Sequence, residues 1–286
     1  MQKIKSVLIY GATGMVGPAT ARVFQEAGFQ VFGTTRDLDS AKSKALAETG
    51  VEMRFASFDD PDAIEAAMEG IDGVFLVTPS SLGYDDARCA KAVFDAAEAK
   101  GVKQIVYLSY LSADPDVGYE KVPKQQTEAY IRERVKTPWT IIRSVDLMEN
   151  FHTRWREAVL TIGIGDPRDE DFLRQFIACK DIGGFAARAL LDPDQWTNRA
   201  INIVGDEMTN PELADIFSRV MGRPVPYTKI TWEDWASDYN IPPPVLEAWK
   251  WYNESRLEAD LATLRRDYPD LQTMEEFMRE HNWDKM

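Results

Sequence analysis

Apolar and polar residues follow two patterns in the first half of the chain. Short continuous apolar runs, typical of strands buried on both faces of a sheet, are separated by stretches with apolar residues at helical spacing. We predict strands at about 5–10, 30–34, 51–56, 73–78, 104–109 and 140–143. We predict helices at about 17–27, 39–48, 61–68, 85–100 and 120–134. This alternation is typical of an α/β fold with a doubly wound parallel sheet, the Rossmann architecture.

The pattern changes after residue 146. We predict a helix over Asn150–Ile162, and another over Asp181–Leu191 that is capped by Asp181. Ala200–Val204 is predicted to be a late strand, which could join the sheet. Helical patterns with several tryptophans dominate from Gly205 onward. The second half of the chain is therefore expected to be mostly helical.

Three glycines directly follow the first predicted strand, with the spacing Gly-x-x-Gly-x-x-Gly. In dinucleotide-binding folds the first permits a tight turn, the second lets the backbone approach a pyrophosphate, and the third lets the helix pack close to the strand. The helix that follows supplies N–H donors and a partial positive charge. The predicted cofactor contacts are Gly11, Thr13, Gly14, Met15, Val16 and Gly17. The alternative is a glycine-rich turn of some other α/β protein.

These patterns predict two parts of the chain. A dinucleotide-binding Rossmann domain is expected over 1–146 plus about 181–204. A smaller, mostly helical lobe is expected over about 147–180 and 205–286. Ligands of such folds bind at the carboxyl ends of the strands, and we expect the lobe to cover that edge.

Composition narrows the class of protein. The 286 residues carry a formal net charge of −14, which argues against nucleic-acid binding because phosphate contacts need clustered Lys and Arg. Cys89 and Cys179 are far apart and only two histidines are present, so we predict no metal site and free thiols. We see neither a membrane-spanning run nor a signal peptide. We expect a cytoplasmic protein without a membrane partner, and the oligomeric state stays open.

Further motifs follow in order along most of the chain. They are Thr34-Thr35-Arg36-Asp37, Phe58-Asp59-Asp60, Val77-Thr78-Pro79, Lys124 with Glu128, Thr140-Ile141-Ile142-Arg143, Leu147–Phe151, Asp181-Ile182-Gly183 and Gly222-Arg223-Pro224-Val225. Together with the glycine motif, they resemble the NmrA-like group of atypical short-chain dehydrogenases. The resemblance implies an NAD(P)-binding Rossmann fold. Some members of that group reduce quinones or other aromatic compounds, and others sense the redox state of the cofactor without turnover.

The end of the second strand bears on the choice of cofactor. NAD-binding folds place an acid there to accept from the ribose 2′-hydroxyl, whereas a 2′-phosphate needs an arginine. The resemblance assigns Arg36 to that phosphate, and Thr35 could add a hydroxyl. Asp37 could weaken such a site, and a surface charge is the alternative role of Arg36. We predict that NADP(H) is preferred over NAD(H).

The resemblance supplies the remaining cofactor contacts. It places Phe58 and Asp59 near the adenine, Thr78 and Pro79 near the nicotinamide ribose, and Ser144 near the nicotinamide. Relatives usually carry a proline where this chain has Ser144. The alternative for Asp59 is a helix N-cap ahead of Pro61.

Lys124 is predicted to be the central residue of the reaction. Typical short-chain dehydrogenases use Tyr-x-x-x-Lys, but here Glu120 stands four residues before Lys124 and Tyr119 is poorly placed at five. The NmrA-like group commonly keeps the lysine and loses the tyrosine. Lys124 then either holds the nicotinamide ribose and so binds the cofactor, or acts as a general acid or base if desolvation lowers its pKa. The alternative is a surface lysine paired with Glu120 or Glu128.

Two more residues are predicted to be catalytic. Ser109 ends the fifth strand, where related enzymes often carry a catalytic serine. Tyr110 follows and could present its phenol to the substrate. Packing or loop roles are the alternatives for both.

Aromatic residues of the predicted lobe suit a flat substrate. We predict that Phe151, His152 and Trp155 contact it, and Trp232 and Trp235 could also line the pocket. His152 could donate to a substrate oxygen. Core packing is the alternative for the aromatic residues.

We predict an NADPH-dependent reductase that transfers hydride to a small aromatic, quinone-like or conjugated substrate. The cofactor carries the reactive hydride, so the protein must orient the acceptor and exclude water. The alternative is a non-catalytic NADP(H)-binding redox sensor that regulates a partner protein, which the missing tyrosine favours. An epimerase-like enzyme that recycles its cofactor is a third alternative, disfavoured by the same absence.

Overall fold

A parallel sheet is the centre of the fold. The computed structural model describes residues 3–79, 85–114, 123–153 and 155–285. Within them, seven parallel strands form the main sheet, in the order β10-β6-β5-β4-β1-β2-β3. Numbered along the chain, they are β1 (Ser6–Tyr10), β2 (Gln30–Thr35), β3 (Glu52–Phe55), β4 (Gly73–Leu76), β5 (Gln104–Tyr110), β6 (Trp139–Ser144) and β10 (Arg199–Asn202). The predicted doubly wound α/β fold is confirmed, and the late strand joins the sheet beside β6.

The helices alternate with these strands and then dominate the end of the chain. They are α1 (Gly17–Glu26), α2 (Ala41–Glu48), α3 (Pro61–Ala67), α4 (Asp86–Lys100), α5 (Pro123–Arg134), α6 (Arg156–Thr161), α7 (Cys179–Leu191), α8 (Pro193–Trp196), α9 (Asn210–Met221), α10 (Trp232–Asp238), α11 (Pro243–Ser255), α12 (Leu261–Asp267) and α13 (Met274–Glu280). Short 3₁₀ turns cover Leu111–Ala113, Met148–His152 and Trp283–Lys285.

The chain forms two compact units. The first comprises Met1–Ser144 and Cys179–Asn202, and the second comprises Val145–Ala178 and Ile203–Met286. The main sheet belongs to the first unit. Its central strands are mostly apolar because α3, α4 and α5 cover one face while α1 and α7 pack against the other, whereas the edge strands β3 and β10 are partly exposed and carry charged residues.

The second unit has its own core and its own short strands. These are β7 (Asp146–Leu147), β8 (Ile164–Asp166), β9 (Arg174–Ile177), β11 (Asp206–Met208) and β12 (Tyr227–Lys229). Three of them form a small mixed sheet in the order β11-β9-β7. The other two, β8 and β12, pair in parallel with each other. The sequence pattern missed most of these strands because each spans only two to four residues.

Two predicted helices differ from the structure. The helix predicted over Asn150–Ile162 is a 3₁₀ turn that ends at His152 and a separate α6. The helix predicted to begin at Asp181 begins at Cys179, so Asp181 lies in its first turn and does not cap it. Gly183 of that helix lies against α1, where an added Cβ would approach Thr20 Cα to 3.0 Å. Close helix packing therefore explains that glycine.

Candidate functional site

The glycine loop connects β1 to α1 with an unusually close backbone. Gly11 has φ +83°, and Gly14 N donates to Gly11 O at 3.0 Å. A Cβ on Gly17 would lie 2.2 Å from Ala12 O, so only glycine fits there. Gly14 is exposed, and no described side chain caps the N-terminus of α1. The loop therefore presents backbone N–H groups at a helix N-terminus, as an anion site requires.

The predicted cofactor residues of the first unit lie along one edge of the main sheet. β1, β2, β3, β4, β5 and β6 are parallel, so Gly11, Arg36, Phe58, Thr78, Tyr110 and Ser144 all lie at or just beyond strand carboxyl ends. Val77 N donates to Tyr10 O at 3.1 Å, which places the start of the glycine loop against the segment that leads to Thr78 and Pro79. The strand order reverses between β1 and β4, the position at which ligands of open α/β sheets bind.

The turn after β2 orders its own polar groups. Thr35 Oγ1 donates to Asp37 O at 3.0 Å and accepts from Asp37 N at 3.1 Å. Asp37 Oδ1 in turn accepts from Asp39 N at 2.9 Å. The Thr35 hydroxyl and the Asp37 carboxylate are therefore held by the turn, while the Arg36 side chain is exposed at its start.

The segment after β3 shows which aspartate caps α3. Asp60, not Asp59, is the N-cap of α3, since its side chain accepts from Ala63 N at 3.0 Å. Asp59 instead pairs with Arg88 at 2.9 Å, and Arg88 also donates to Phe58 O at 3.2 Å. The N-cap role considered for Asp59 is therefore wrong.

Lys124 is buried at the carboxyl ends of β4 and β5. Its side chain is only 5% exposed, so the alternative of a surface lysine is wrong. Its Nζ donates to Thr78 Oγ1 at 2.8 Å and to the Leu108 carbonyl oxygen at 3.0 Å. It also lies 3.1 Å from Asp86 Oδ1 and 3.1 Å from the Tyr107 hydroxyl. Glu120 and Tyr119, considered above as its neighbours, lie outside the described residues.

Asp86 joins these groups into what we call the lysine cluster: Thr78, Asp86, Tyr107, Lys124 and Thr127. Tyr107 OH donates to Asp86 Oδ2 at 2.7 Å, Thr127 Oγ1 donates to the same oxygen at 2.5 Å, and Thr78 Oγ1 donates to Oδ1. The sequence analysis missed Asp86, Tyr107 and Thr127. Their only signal is that Thr127 lies three residues after Lys124, on the same helix face.

Charge and burial act in opposite directions in this cluster. Burial lowers the pKa of Lys124, and the carboxylates of Asp86 and Glu128 oppose that shift. Burial alone would raise the pKa of Asp86, but the Lys124 charge and the three hydroxyl donors lower it overall. Burial and the Asp86 charge together raise the pKa of Tyr107. The hydrogen bonds on Asp86 therefore favour its ionised form, and the Asp86 charge in turn opposes loss of the Lys124 proton.

Ser109 belongs to a second buried network on the next turn of α5. Ser109 Oγ donates to Glu128 Oε1 at 2.6 Å, and Arg143 donates to the same carboxylate at 2.7–3.1 Å. Arg143 also contacts Asp114, and Ser144 Oγ donates to Ser109 O at 3.2 Å. Both serine hydroxyls thus serve hydrogen bonds within the protein.

Tyr110 is the exposed member of the predicted catalytic set. It ends β5 and is 37% exposed. Lys124 Nζ lies 5.2 Å from its ring centroid. The phenol therefore stands at the strand edge with a fixed positive charge behind its ring.

The predicted substrate residues lie in the core of the second unit. The rings of Phe151 and Trp155 are 5.0 Å apart, and both are almost completely buried. His152 Nε2 accepts a hydrogen bond from Trp283 Nε1 at 3.4 Å. Burial, with the nearby His281 and Arg156 charges, lowers the pKa of His152 to about 4. His152 is therefore neutral near pH 7, with Nε2 as the acceptor for Trp283 and its proton on Nδ1. Its contact with a substrate stays a prediction.

A small cavity in the second unit touches two of these rings. Phe151 and Trp155 line it together with Arg174, Trp235 and Tyr239. Its volume of about 20 Å³ holds little more than one water molecule, so no aromatic ring fits it as it stands.

Comparison with known proteins places the chain in a family. Residues 3–278 match the model of the NmrA-like family. The chain belongs to the NmrA-like family. The NAD(P)H azoreductase of Xenophilus azovorans is 30% identical, over 79% of this chain and 78% of that relative.

Two solved structures share the fold of this NmrA-like chain. The triphenylmethane reductase of Citrobacter sp., complexed with NADP(H), covers 96% of this chain and 99% of its own, with 20% identity and a TM-score of 0.80. NmrA, a negative transcriptional regulator solved with NAD, covers 98% of this chain and 95% of its own, with 20% identity and a TM-score of 0.80. At this identity the likeness establishes the fold alone.

The NmrA-like chain also carries a buried charge network that sequence analysis missed. We call it the arginine cluster: Asp146, Asp166, Arg168, Arg174 and Asn210, all in the second unit. Asp166 Oδ2 accepts from Arg168 at 2.7 Å and from Arg174 at 3.3 Å. Arg174 also bonds Asp146 at 3.1 Å and Asn210 at 3.0 Å. No local pattern indicates it, because arginines in or beside a polar segment are usually exposed.

Two general features of the described residues complete the picture. No helix among them is long and apolar enough to cross a membrane. In that same part of the chain, His, Cys, Asp and Glu side chains form no group of three or more that could hold a metal ion.

Proposed function

We propose that this NmrA-like protein is an NADPH-dependent reductase that transfers hydride to a small aromatic, quinone-like or conjugated acceptor. The observation that carries the proposal is the Gly11–Gly17 loop. Its close backbone and the uncapped N-terminus of α1 suit a pyrophosphate at the edge where the strand order reverses. The bound cofactor would supply the hydride.

Arg36 favours NADPH over NADH. It follows β2 directly, and no acid occupies the strand end itself. The adjacent Asp37 carboxylate accepts from the Asp39 backbone, so the turn holds the charge that would otherwise oppose a 2′-phosphate. An exposed guanidinium can grip a phosphate with two donors.

The residues at the ends of β4, β5 and β6 would serve the nicotinamide half. Thr78 and Lys124 present a hydroxyl and a charge near the ribose, and the Ser144 backbone borders the ring. Tyr110, the exposed phenol, is the proton donor to the reduced acceptor. Ser109 acts through Glu128 and Arg143, which hold the strand ends together.

Relatives support an aromatic acceptor. One is named an azoreductase and a protein of the same fold is named a triphenylmethane reductase. Phe151 and Trp155 are proposed to contact the substrate through a pocket wider than the present cavity, and His152 is proposed to donate from Nδ1, because its Nε2 accepts from Trp283. Such a pocket would accept flat aromatic rings in general rather than one particular compound.

Cofactor titration and turnover test the proposal. NADPH and NADH affinities are measured for the wild type, for Arg36→Ala, and for Arg22→Ala as a control on the exposed face of α1. Loss of a charged hydrogen-bond pair of about 1.5–3 kcal/mol predicts NADPH binding at least tenfold weaker in Arg36→Ala, with NADH unchanged. Bound NADPH is then mixed with quinones, azo dyes and enones. Oxidation by at least one supports the reductase, and no NADPH binding contradicts it.

One observation favours a second candidate, a redox sensor that regulates a partner protein. Lys124 has three N–H groups, and protein oxygens surround them. A sensor would bind NADPH tightly, discriminate it from NADP⁺, and oxidise it with none of the acceptors.

A further inference from the structure

Asp86 is a buried carboxylate that takes no part in capping its own helix. It is the first residue of α4, but the cap is Asp85, which accepts from Arg88 N at 3.0 Å. Asp86 is 4% exposed and points at the ends of β4 and β5. Among described groups, Lys124, Thr78, Tyr107 and Thr127 donate to its two oxygens.

These hydrogen bonds fix the positions of Asp86 and Lys124 more than they add to the stability of the protein. Removing two charges from water offsets most of their attraction, so a buried ion pair contributes little net stability. Four donors on two oxygens, however, leave the carboxylate one orientation. The Lys124 ammonium is then held at one point between Thr78, Tyr107 and the Leu108 carbonyl.

We propose that Asp86 is a positioning residue for the cofactor: its carboxylate holds the Lys124 ammonium at the carboxyl ends of β4 and β5, the strand edge where the nicotinamide ribose binds. This rests on the proposed function, because it assumes that NADPH occupies that edge. Asp86 does not touch the cofactor. It acts only through Lys124.

Removing the Asp86 charge should make cofactor binding depend on pH, which a purely structural role of Asp86 would not. Among the described residues, the charged and titratable groups that face Lys124 are Asp86 from α4, Tyr107 and Tyr110 from β5, and Glu128 from α5. Of these, Glu128 alone still offers a negative charge in Asp86→Asn, so burial lowers the pKa of the amine further. Cofactor binding then depends on a proton that the wild type retains.

The test is the dissociation constant of NADPH, measured by cofactor fluorescence across about pH 6–9. The proteins are the wild type, Asp86→Asn, Lys124→Met, and the double variant. Asp95→Asn is the matched control, since Asp95 lies on the same helix but is exposed and bonded to Lys91 and Tyr130. Circular dichroism confirms folding of each protein.

The wild type and Asp95→Asn should show the same profile, and in Asp86→Asn the loss of affinity should begin at lower pH. Asp86→Asn should bind NADPH more weakly as pH rises, losing about tenfold for each pH unit above the pKa of the amine. Lys124→Met should be weak and flat, and the double variant should match it because Asp86 acts only through Lys124.

Three results would overturn the inference. They are a flat Asp86→Asn profile at wild-type affinity, losses in the double variant that equal the sum of the single losses, and the same pH dependence in the double variant. If the wild type fails to bind NADPH, the proposed function fails first.

If Asp86→Asn does not fold, Asp86→Glu replaces it. This variant keeps the charge but moves it, so the affinity for NADPH should fall without pH dependence. Unchanged affinity would contradict the inference.

Discussion

The protein buries charge in two places and satisfies it in two different ways. The lysine cluster of the first unit balances one lysine against one aspartate, and its buried polar atoms all have hydrogen-bond partners. The arginine cluster of the second unit balances two arginines against two aspartates. Within the described residues, however, Nε of Arg168, Nε of Arg174 and Nδ2 of Asn210 have no hydrogen-bond partner.

The difference lies in the neighbours. Hydroxyl groups of Thr78, Tyr107 and Thr127 rotate to fill the remaining positions of the lysine cluster. The arginines instead lie against rings, with Arg168 4.4 Å from the Trp249 centroid and Arg174 4.7 Å from that of Phe176. Hydroxyl groups hold the Lys124 ammonium at a defined position, whereas an arginine side chain can shift over the face of a ring. We propose that the first cluster serves the cofactor site, and the second holds β7, β8, β9 and α9 together.

The largest expected effect breaks the arginine cluster. Asp166→Asn leaves Arg168 and Arg174 buried with only Asp146 as counter-charge. We expect a loss of about 3–5 kcal/mol in the free energy of unfolding, measured by urea denaturation. Asp169→Asn, at an exposed ion pair with Lys229, should cost about 1 kcal/mol or less. Equal losses in the two variants would refute the assignment.

A smaller loss should follow when the lysine cluster is broken. Lys124→Met leaves Asp86 with its three hydroxyl donors, which still stabilise the charge. We expect a loss of about 2–3 kcal/mol in the free energy of unfolding. Lys136→Met removes an exposed partner of Glu98 and is the control. A loss larger than that of Asp166→Asn would reverse the comparison.

Removing one hydroxyl should cost less again. Tyr107→Phe keeps the ring and deletes one donor to Asp86, so we expect about 1 kcal/mol from chemical denaturation. Tyr130→Phe deletes an exposed bond to Asp95 and should be close to neutral. If Tyr107→Phe is neutral too, the hydroxyls are not what satisfies the cluster.

The last prediction is a pH dependence of stability in the second unit, which leaves stability at neutral pH unchanged. The pKa of His152 falls to about 4 in the folded protein, below its ordinary value of about 6.5. The unfolded chain therefore binds this proton first, and stability is lost as pH falls from about 6.5 towards 4. His152→Gln keeps an acceptor for Trp283 without titrating, so its denaturation midpoint should change less over that window. Identical slopes for the two proteins would contradict the burial of His152.

The fold was largely predictable, and the chemistry of the site only in part. Apolar runs revealed β1, β2, β4, β5 and β6 because these strands are largely buried, whereas the edge strand β3 is partly exposed. The glycine loop and Lys124 carry local motifs. Asp86 does not, because it follows Asp85 at a helix start, where carboxylates usually act as caps. Its role comes from Lys124, which is 38 residues away in the chain.

The same limit applies to the second unit. Arg168 and Arg174 flank a polar loop, and their burial depends on α9 and α11, which come much later in the chain. His152 was chosen for its ring nitrogens, but its partner Trp283 lies 131 residues further on. Contacts between distant segments decide these roles, and no local pattern records them.

The most direct test of the account is the NADPH affinity of folded Lys124→Met at neutral pH, with Asp166→Asn measured beside it. The account predicts that Lys124→Met binds NADPH at least tenfold more weakly than the wild type, the loss expected from one charged hydrogen bond. Asp166→Asn should bind normally despite its lower stability. Wild-type affinity in Lys124→Met would contradict the assignment of the lysine cluster to the cofactor site.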